Sequence, residues 1–311
     1  NDLVTVIDIN AIPRQYLSTG AANDATVQSF LQTNVANPFR NLPEAAGTAF
    51  FSPATVQRQQ LLRPFPQFQS VNVFEDDGKS WYDAFQLRVE RRFAQDFSFL
   101  GTYTYSRLEE AITRLNPTDT EYERRIGDAD IPHRFTASGI WELPFGKGKR
   151  FFAEASGLTQ VLLGGFQLTG LYQFQTGLPL TVPPAELAPG VTDIVTTVNS
   201  ATIDTGTFDI NLLQDRAALR NGLAIRTAPS RFKSFRGDTY SSLDMSLLKN
   251  IGFTETVKLQ LRAEVFNVFN KPLFTGIDLN PQTRTSFGRV LQGNNQVNLP
   301  REFQFGIKLL F

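Results

Sequence analysis

The last nine residues, FQFGIKLLF (303–311), alternate between apolar and polar side chains. Successive side chains of a β-strand point to opposite faces, so one face of this segment is wholly apolar. That face carries Phe303, Phe305, Ile307, Leu309 and Phe311. The other face carries Gln304, Gly306 and Lys308, with Leu310 as its exception. Such a strand suits a barrel wall between lipid and water.

Six earlier segments repeat this alternation. They are Trp81–Phe93, Phe97–Arg107, Arg134–Leu143, Phe166–Gln175, Ser241–Lys249 and Val257–Asn267. Most contain about 9–13 residues, near the length that a tilted strand needs to cross a bilayer. No stretch approaches about 18 consecutive apolar residues, which excludes a transmembrane helix. The sequence therefore predicts strands rather than helices as the membrane-crossing elements.

The connections between these segments alternate in length. Those at 94–96 and 250–255 are tight, whereas those at 109–132, 178–237 and 270–300 are long. Outer-membrane barrels pair short periplasmic turns with long extracellular loops in this way. We expect an all-β fold, an antiparallel transmembrane β-barrel. This chain would supply its C-terminal portion, with about seven membrane strands and long extracellular loops.

Charged residues of both signs recur on the polar faces. They are Arg88, Glu90, Arg92, Lys258, Arg262, Glu264 and Lys308. A charge in a dry protein core is very costly, whereas a wet lumen or a polar plug tolerates it. We therefore expect these seven side chains to face a lumen. A soluble β-sandwich with these charges on its solvent face is the alternative, but apolar faces recur over seven segments, most of them rich in aromatic residues, which favours the barrel.

The first 79 residues lack the regular alternation. Residues 2–10 are predicted to form the outer tip of an upstream strand and 23–34 a short helix capped by Asn23 or Asp24. Residues 71–75 are predicted to form one arm of a hairpin that turns at Asp76–Lys79 into Trp81. Seven crossings is an odd number, whereas bacterial single-chain barrels have even numbers of strands. We expect residues 1–79 to be an extracellular loop region and 80–311 to be barrel strands and loops, and we interpret the chain as the C-terminal part of a larger barrel.

Composition argues against several functions. Thirty Lys and Arg balance thirty Asp and Glu, so there is no basic excess to bind nucleic acid. Cysteine is absent and His133 is the single histidine, which disfavours metal sites and catalytic triads. The acidic loop 109–132 has no EF-hand spacing, and its arginines favour a solvated, neutralised loop over a calcium site. A pair of carboxylates such as Glu109 and Glu110 could suggest hydrolysis, but adjacent residues of a strand point to opposite faces, which argues against a shared site. We expect no catalytic residues, cofactor or metal.

A basic turn, Gly146–Lys149, lies between the third and fourth segments. It lacks the spacing of a phosphate-binding loop, so we interpret it as a periplasmic turn. Ala153–Leu163 is predicted to add a short amphipathic helix there.

Four stretches carry a family resemblance: SWYDAFQLRVERRFAQDFSFLGTYTYSRL (80–108), DIPHRFTASGIWELPFGKGKRF (130–151), GGFQLTGLYQFQTGLPLTV (164–182) and LRAEVFNVFNKPLF (261–274). They resemble TonB-dependent outer-membrane receptors, most of all the Oar-like group, whose members often carry a carboxypeptidase-regulatory-like domain. The C-terminal pattern also resembles the signal that such barrels present to the barrel-assembly machinery. Its matching residues are Gln304, Gly306, Leu309 and Phe311.

The resemblance implies a plugged barrel of about 22 strands in the bacterial cell outer membrane. Such a receptor takes up a nutrient or another bulky solute with energy relayed by TonB. Its partners would be outer-membrane lipid, the assembly machinery, the remaining N-terminal strands of the barrel, and TonB through a plug domain that this sequence lacks.

Two other barrel functions stay open. One is a small complete porin or adhesin-like barrel, with an eighth strand drawn from residues 1–75. The other is a barrel-embedded hydrolase, which the scarcity of histidine disfavours. The sequence names no substrate, but loops 178–237 and 270–300 are where we expect a ligand to bind, because binding residues are usually held on loops.

Overall fold

The computed structural model describes residues 3–94, 96–194, 209–254, 256–291 and 295–311. Within these ranges the strands are β1 (Leu3–Asp8), β2 (Asn34–Ala36), β3 (Thr55–Gln57), β4 (Asn72–Ala94), β5 (Phe97–Ala111), β6 (Arg125–Ile126), β7 (His133–Glu142), β8 (Phe166–Gln175), β9 (Pro179–Thr181), β10 (Glu186–Leu187), β11 (Leu213–Gln214), β12 (Arg231–Arg236), β13 (Tyr240–Gly252), β14 (Lys258–Phe266) and β15 (Glu302–Leu310). The α-helices are α1 (Asp24–Gln32), α2 (Arg58–Leu61), α3 (Gly157–Leu163) and α4 (Ala217–Arg220). Over the same ranges, none of the helices combines the length and the apolar character needed to cross a bilayer.

One antiparallel sheet dominates the molecule. Its strand order is β1-β4-β5-β7-β8-β13-β14-β15, and the short β6 pairs with the end of β5. The seven predicted segments form β4, β5, β7, β8, β13, β14 and β15, in sequence order and side by side. The predicted bounds of β8 match the structure, and β7, β13, β14 and β15 differ by one to three residues at either end. The all-β, antiparallel character of the fold is therefore confirmed.

The predicted hairpin at 71–79 is wrong. Strand β4 continues without a turn from Asn72 to Ala94, and its first part pairs with β1 from Leu3 opposite Gly78 to Asp8 opposite Asn72. Gly78 serves a close approach instead of a turn, because a Cβ built there would lie 2.6 Å from the carbonyl oxygen of Leu3. The acidic and glycine residues that resemble a turn signal therefore lie in β4 where it pairs closely with β1.

The two predicted helices are present. Helix α1 lies inside the range 23–34, and its N-cap is Asn23, which makes no side-chain capping hydrogen bond. The Asn23 side chain instead accepts hydrogen bonds from the Ser18 hydroxyl at 2.7 Å and from the Gly20 N–H at 3.2 Å. Helix α3 occupies the second half of the predicted range 153–163.

The sheet is open. Strand β1 covers only residues 72–78 of β4, and among the described residues no strand pairs with the outer edge of β4 at 79–94 or with that of β15. An unpaired strand edge presents a row of backbone donors and acceptors. The described part of the chain is thus a curved wall with two free edges rather than a closed barrel.

The two faces of the sheet differ in chemistry. Strand register places Arg88 opposite Thr102, Thr102 opposite Thr136, and Thr136 opposite Gln173, so the polar sides of neighbouring strands share one face. The other face is apolar and bare, as Phe305 and Ile307 are 77% and 78% exposed. Within the described ranges no second sheet packs on it, so the β-sandwich alternative is wrong.

Buried apolar side chains lie instead among the loops. One cluster joins the loop before β13 to the loop after β14, and a second joins the N-terminal segment to the loop around Leu223. The first contains Val182, Ala185, Ile194, Leu213, Phe232, Phe235 and Phe287, and the second contains Ile12, Leu17, Leu31, Leu223 and Ile225. We call the described residues of 9–71, 109–132, 178–237 and 270–300 the loop cap. The opposite end of the sheet, where β4 is followed by β5, β7 by β8 and β13 by β14, is the turn end.

Candidate functional site

The polar face of the sheet is curled into a trough. A cavity of about 610 Å³ lies against it and touches six strands, from β4 through β14. Neighbouring strands are about 4.8 Å apart, so these six would span about 24 Å if the sheet were flat. A cavity that touches all six strands lies on the concave side of a curved sheet, so the polar face is the inner one. Its polar-face lining includes Glu90, Ser98, Ser138, Thr169, Asp244, Ser246 and Glu264.

All seven charged residues predicted to face the lumen lie on this polar face. Neighbours on one strand pair with each other: Arg88 Nη2 is 2.8 Å from Glu90 Oε2, and Arg262 Nη1 is 3.6 Å from Glu264 Oε1. Arg92 Nε lies 4.0 Å from Glu90 Oε1. Exposed pairs of this kind stabilise a fold by about 0–1 kcal/mol, so their position argues for a wet surface rather than for a structural role.

Lys258 and Lys308 extend the charged surface towards the turn end. Lys258 lies opposite Leu310, and Lys308 opposite Gln260, on the same side of β14 and β15 as Arg262 and Glu264. The charged set thus follows the polar face along both of these strands.

Buried ion pairs hold part of the loop cap against the end of β5. Glu110 accepts from Arg125 Nε at 2.9 Å and from Arg231 Nη1 at 2.7 Å, and all three side chains are at most 12% exposed. Glu109 points the other way and pairs with Arg107 and Arg124. The two adjacent glutamates therefore share no arginine, as their opposite directions predict.

The prediction of a solvated acidic loop at 109–132 is wrong in one respect. Asp130 is 3% exposed and its Oδ2 accepts from Arg236 Nη2 at 2.5 Å, while Glu123 binds the Ser230 N–H at 2.6 Å. The arginines neutralise the acids as expected, but two of them, Arg231 and Arg236, come from the loop 178–237 and bury the carboxylates against it. These partners were not identified from the sequence. The available signal was the run of five arginines from 216 to 236, which is opposite in charge to the acids of 109–132.

A third ion-pair cluster links the N-terminal region to the same loop. Arg216 Nη2 lies 2.7 Å from Asp24 Oδ1, and Arg216 Nη1 lies 2.9 Å from Glu186 Oε2. The Arg216 side chain is only 5% exposed. Its hydrogen bonds hold the pKa of the Asp24 carboxyl below its usual range. The cap therefore contains charges whose pairing fixes the relative position of three segments.

His133 has a structural environment. It opens β7, and its Nδ1 lies 2.8 Å from the Tyr103 hydroxyl, with its ring 5.2 Å from that of Tyr105. Over the described ranges no three His, Cys, Asp or Glu side chains converge as metal ligands. The geometry around His133 is that of an aromatic cluster at the loop end of the apolar face.

The four residues of the C-terminal pattern are accessible. Gln304 lies opposite Glu264 and Gly306 opposite Arg262 on β14, and Phe311 is 96% exposed. A Cβ added at Gly306 would lie 3.8 Å from the Arg262 Cβ, which is an ordinary contact. Packing within the sheet therefore does not require glycine at 306, and the pattern stays a prediction about recognition by the assembly machinery.

No curated protein matches the sequence. The model of one family, described as an outer membrane beta barrel domain, matches residues 5–304, which is nearly the whole chain. A bare apolar face, a curled polar face and alternating short and long connections are what that architecture requires. The chain therefore belongs to the outer-membrane β-barrel domain family, and its place is the bacterial outer membrane.

Proposed function

We propose that this chain is barrel wall from a TonB-dependent receptor that takes up a nutrient or another bulky solute across the outer membrane. The sheet has two different faces, and this observation carries the proposal: bare aromatic side chains lie on the outer face, and the inner face is a curved, charged trough. The sequence resemblance over 80–311 to Oar-like receptors supports the finer assignment.

In this proposal the trough lines the lumen. Arg88, Glu90, Arg92, Lys258, Arg262, Glu264 and Lys308 give a plug domain and a passing solute a hydrated wall, while the opposite face contacts outer-membrane lipid. Energy from TonB reaches the solute through the plug, which lies outside this sequence. The chain itself performs no catalysis; its role is to enclose a path.

The loop cap is the proposed entry surface for the solute. Loops held by a rigid scaffold usually carry binding residues, and here buried ion pairs hold 109–132 and 178–237 together above the trough. The free edges of β4 and β15 are the proposed contacts with the remaining strands of the barrel, because a bilayer offers no other partner for their backbone groups.

Uptake in the bacterium that makes the protein tests this function. Solutes left in the medium are compared among the parent strain, a strain lacking this protein and a strain lacking TonB. A receptor predicts that at least one solute stays in the medium in both mutants and is consumed by the parent. Consumption that depends on this protein but proceeds without TonB would instead support diffusion through a porin, and no difference at all would contradict a transport role.

A porin is the second candidate, and the polar trough with its cavity of about 610 Å³ favours it. Vesicles that contain the purified chain would then swell in isotonic sugar solutions, faster with small sugars than with large ones. A receptor wall that needs its plug and further strands gives no such size-graded swelling.

A further inference from the structure

The turn end of the sheet carries an exposed apolar stripe. Leu158, Val161 and Leu162 lie three and four residues apart on α3, so they share one helix face. They are 73%, 40% and 60% exposed. Phe151 and Phe152, just before the helix, are 47% and 56% exposed. Contiguous exposed apolar groups of this kind mark a surface that contacts a partner or a membrane.

Helix α3 lies beside the outer, apolar face of the sheet. Lys249 is on that face, because its register partners are Phe166 on β8 and Leu261 on β14. Its Nζ donates to the carbonyl oxygen of Leu162 at 3.3 Å and to that of Gly164, and it sits 4.1 Å from the centre of the Phe166 ring. A cation at the C-terminal carbonyls of a helix is favourable. Lys249 therefore fixes the end of α3 on the same side of the wall as the bare aromatic residues.

The polar side of α3 is already used within the chain. The Lys147 N–H donates to Gln160 Oε1 at 2.6 Å, and Gly164 closes the helix by donating to the Gln160 carbonyl at 3.0 Å. The turn itself is held by Lys149 Nζ, which lies 2.6 Å from Asp96 Oδ1 and 2.8 Å from Glu142 Oε2. The apolar stripe is thus directed away from the protein by contacts on the opposite side.

Two basic side chains flank the stripe. Lys147 and Arg150 are exposed, and neither forms an ion pair within the part of the chain that the structure describes. The Arg150 guanidinium lies 5.5 Å from the centre of the exposed Phe151 ring. Apolar side chains next to unpaired cations suit a surface of acyl chains and phosphates better than a protein partner, and the stripe continues the lipid-facing side of the sheet.

We propose that residues 145–164 form an interfacial anchor that inserts its apolar stripe into the phospholipid leaflet at the turn end of the barrel. Leu158, Val161 and Leu162 enter the region between headgroups and acyl chains, and Lys147 and Arg150 bind lipid phosphates. Strand β8 begins at Phe166, directly after the anchor, so the helix sits at the level where the membrane wall starts. This contact goes beyond the uptake function and holds for any solute.

Fluorescence quenching by lipid tests the anchor. The chain has no cysteine, so the single variants Leu158→Cys, Thr159→Cys and Phe305→Cys of the full chain can each carry one NBD fluorophore. They are inserted into vesicles of equimolar phosphatidylcholine and phosphatidylglycerol, with or without lipids that carry a nitroxide high on the acyl chain. Thr159 is the matched control, because it is exposed on the same helix turn but lies off the stripe.

We expect quenching at residue 158 to be at least about twice that at 159, since an interfacial helix buries its apolar face about 5–10 Å deep. Residue 305 reports whether the sheet itself contacts lipid. Equal quenching at 158 and 159 with strong quenching at 305 would overturn the anchor and leave the barrel assignment intact. Weak quenching at all three would overturn the lipid-facing assignment of the sheet together with the anchor.

The charge part of the proposal has its own test. In the Leu158→Cys background, the double substitution Lys147→Gln and Arg150→Gln should lower quenching more in the anionic vesicles than in pure phosphatidylcholine, because a choline cation offsets each phosphate of that lipid. Equal quenching of the double variant and its parent in both vesicles would contradict phosphate binding by these side chains.

Discussion

At the scale of single residues, the sequence revealed which side chains are charged but not which of them would meet. Arg216 illustrates this point, because its partners Asp24 and Glu186 lie 192 and 30 residues away. No local spacing links an arginine to acids at such separations. The pairs exist because the loop cap folds back on itself, which single-sequence periodicity does not encode.

Replacing Arg216 with Met should release α1 from the loop 178–237. Removing one partner of a buried ion pair costs about 3–5 kcal/mol, because the other charge stays buried and unpaired. Amide hydrogen exchange in α1, corrected for intrinsic rates, should speed up accordingly. Arg220→Met is the control, since Arg220 forms an ion pair with the nearby Asp215, five residues away in the sequence, and its side chain is 28% exposed. Similar exchange rates in the two variants would contradict a linking role for Arg216.

The same contact should depend on pH. The pKa of Asp24 is lowered in the folded protein, so its ionised form stabilises the contact above the carboxyl's usual pKa of 3.8. That stabilisation should be lost as the pH falls through the lower, folded-state pKa. Exchange protection of α1 should therefore be constant near neutral pH and decline below about pH 4, whereas the Arg216→Met variant should show no such decline. Loss of protection between pH 8 and pH 5 would point to another group.

The close approach of β1 to Gly78 leaves no room for a side chain at this position. The Gly78→Ala substitution would place a Cβ 2.6 Å from the Leu3 carbonyl oxygen, so β1 has to shift. Overpacking of this kind costs about 1–3 kcal/mol, and amide exchange of β1 should rise. Gly252→Ala is the control, because a Cβ there meets nothing within 4 Å. Unchanged exchange in β1 would show that the two strands approach each other less closely than the structure has them.

At the scale of elements, period-two alternation was sufficient where a strand has one bare face and one polar face. The bounds of β8 follow directly from that pattern, and β15 follows within one residue. Alternation failed at the start of β4, where Asp76, Asp77 and Gly78 resemble a turn. Their conformation is set by pairing with β1, and a distant partner overrides local propensity in strands. The alternating pattern therefore predicts the wall well and its extension into the loop cap poorly.

The assignment of faces on β15 predicts an asymmetric response to charge. Phe305 is on the bare face and Gln304 on the polar face of the same strand. Arg at a lipid-facing position near the bilayer midplane costs about 2–4 kcal/mol, whereas a lumen-facing change costs little. Phe305→Arg should therefore lower the free energy of unfolding in denaturant titrations in vesicles, and Gln304→Arg should leave it nearly unchanged. A larger loss for Gln304→Arg would reverse the two faces.

At the scale of the whole molecule, the family and the antiparallel wall could be predicted from sequence, whereas closure could not. Hydrophobic patterning shows which face of each strand is apolar, but it does not show which strand edges pair to close a barrel. The structure leaves the edge of β4 at 79–94 and that of β15 without strand partners in its described part. In lipid each unsatisfied backbone group costs several kcal/mol, so these edges govern how the chain behaves alone.

The chain by itself should therefore fail to persist as a monomer in a bilayer. Open edges of this length pair either with another copy or with the further strands that the proposed receptor would supply. Amide exchange in vesicles should be fast along β15 and along 79–94 of β4, and slow in β7 and β8, which are paired on both sides. Adding the remaining strands in the same polypeptide should protect both edges without changing β7 and β8. A stable monomer with protected edges would mean instead that β4 and β15 pair with each other and close a small barrel, which would favour the porin over the receptor.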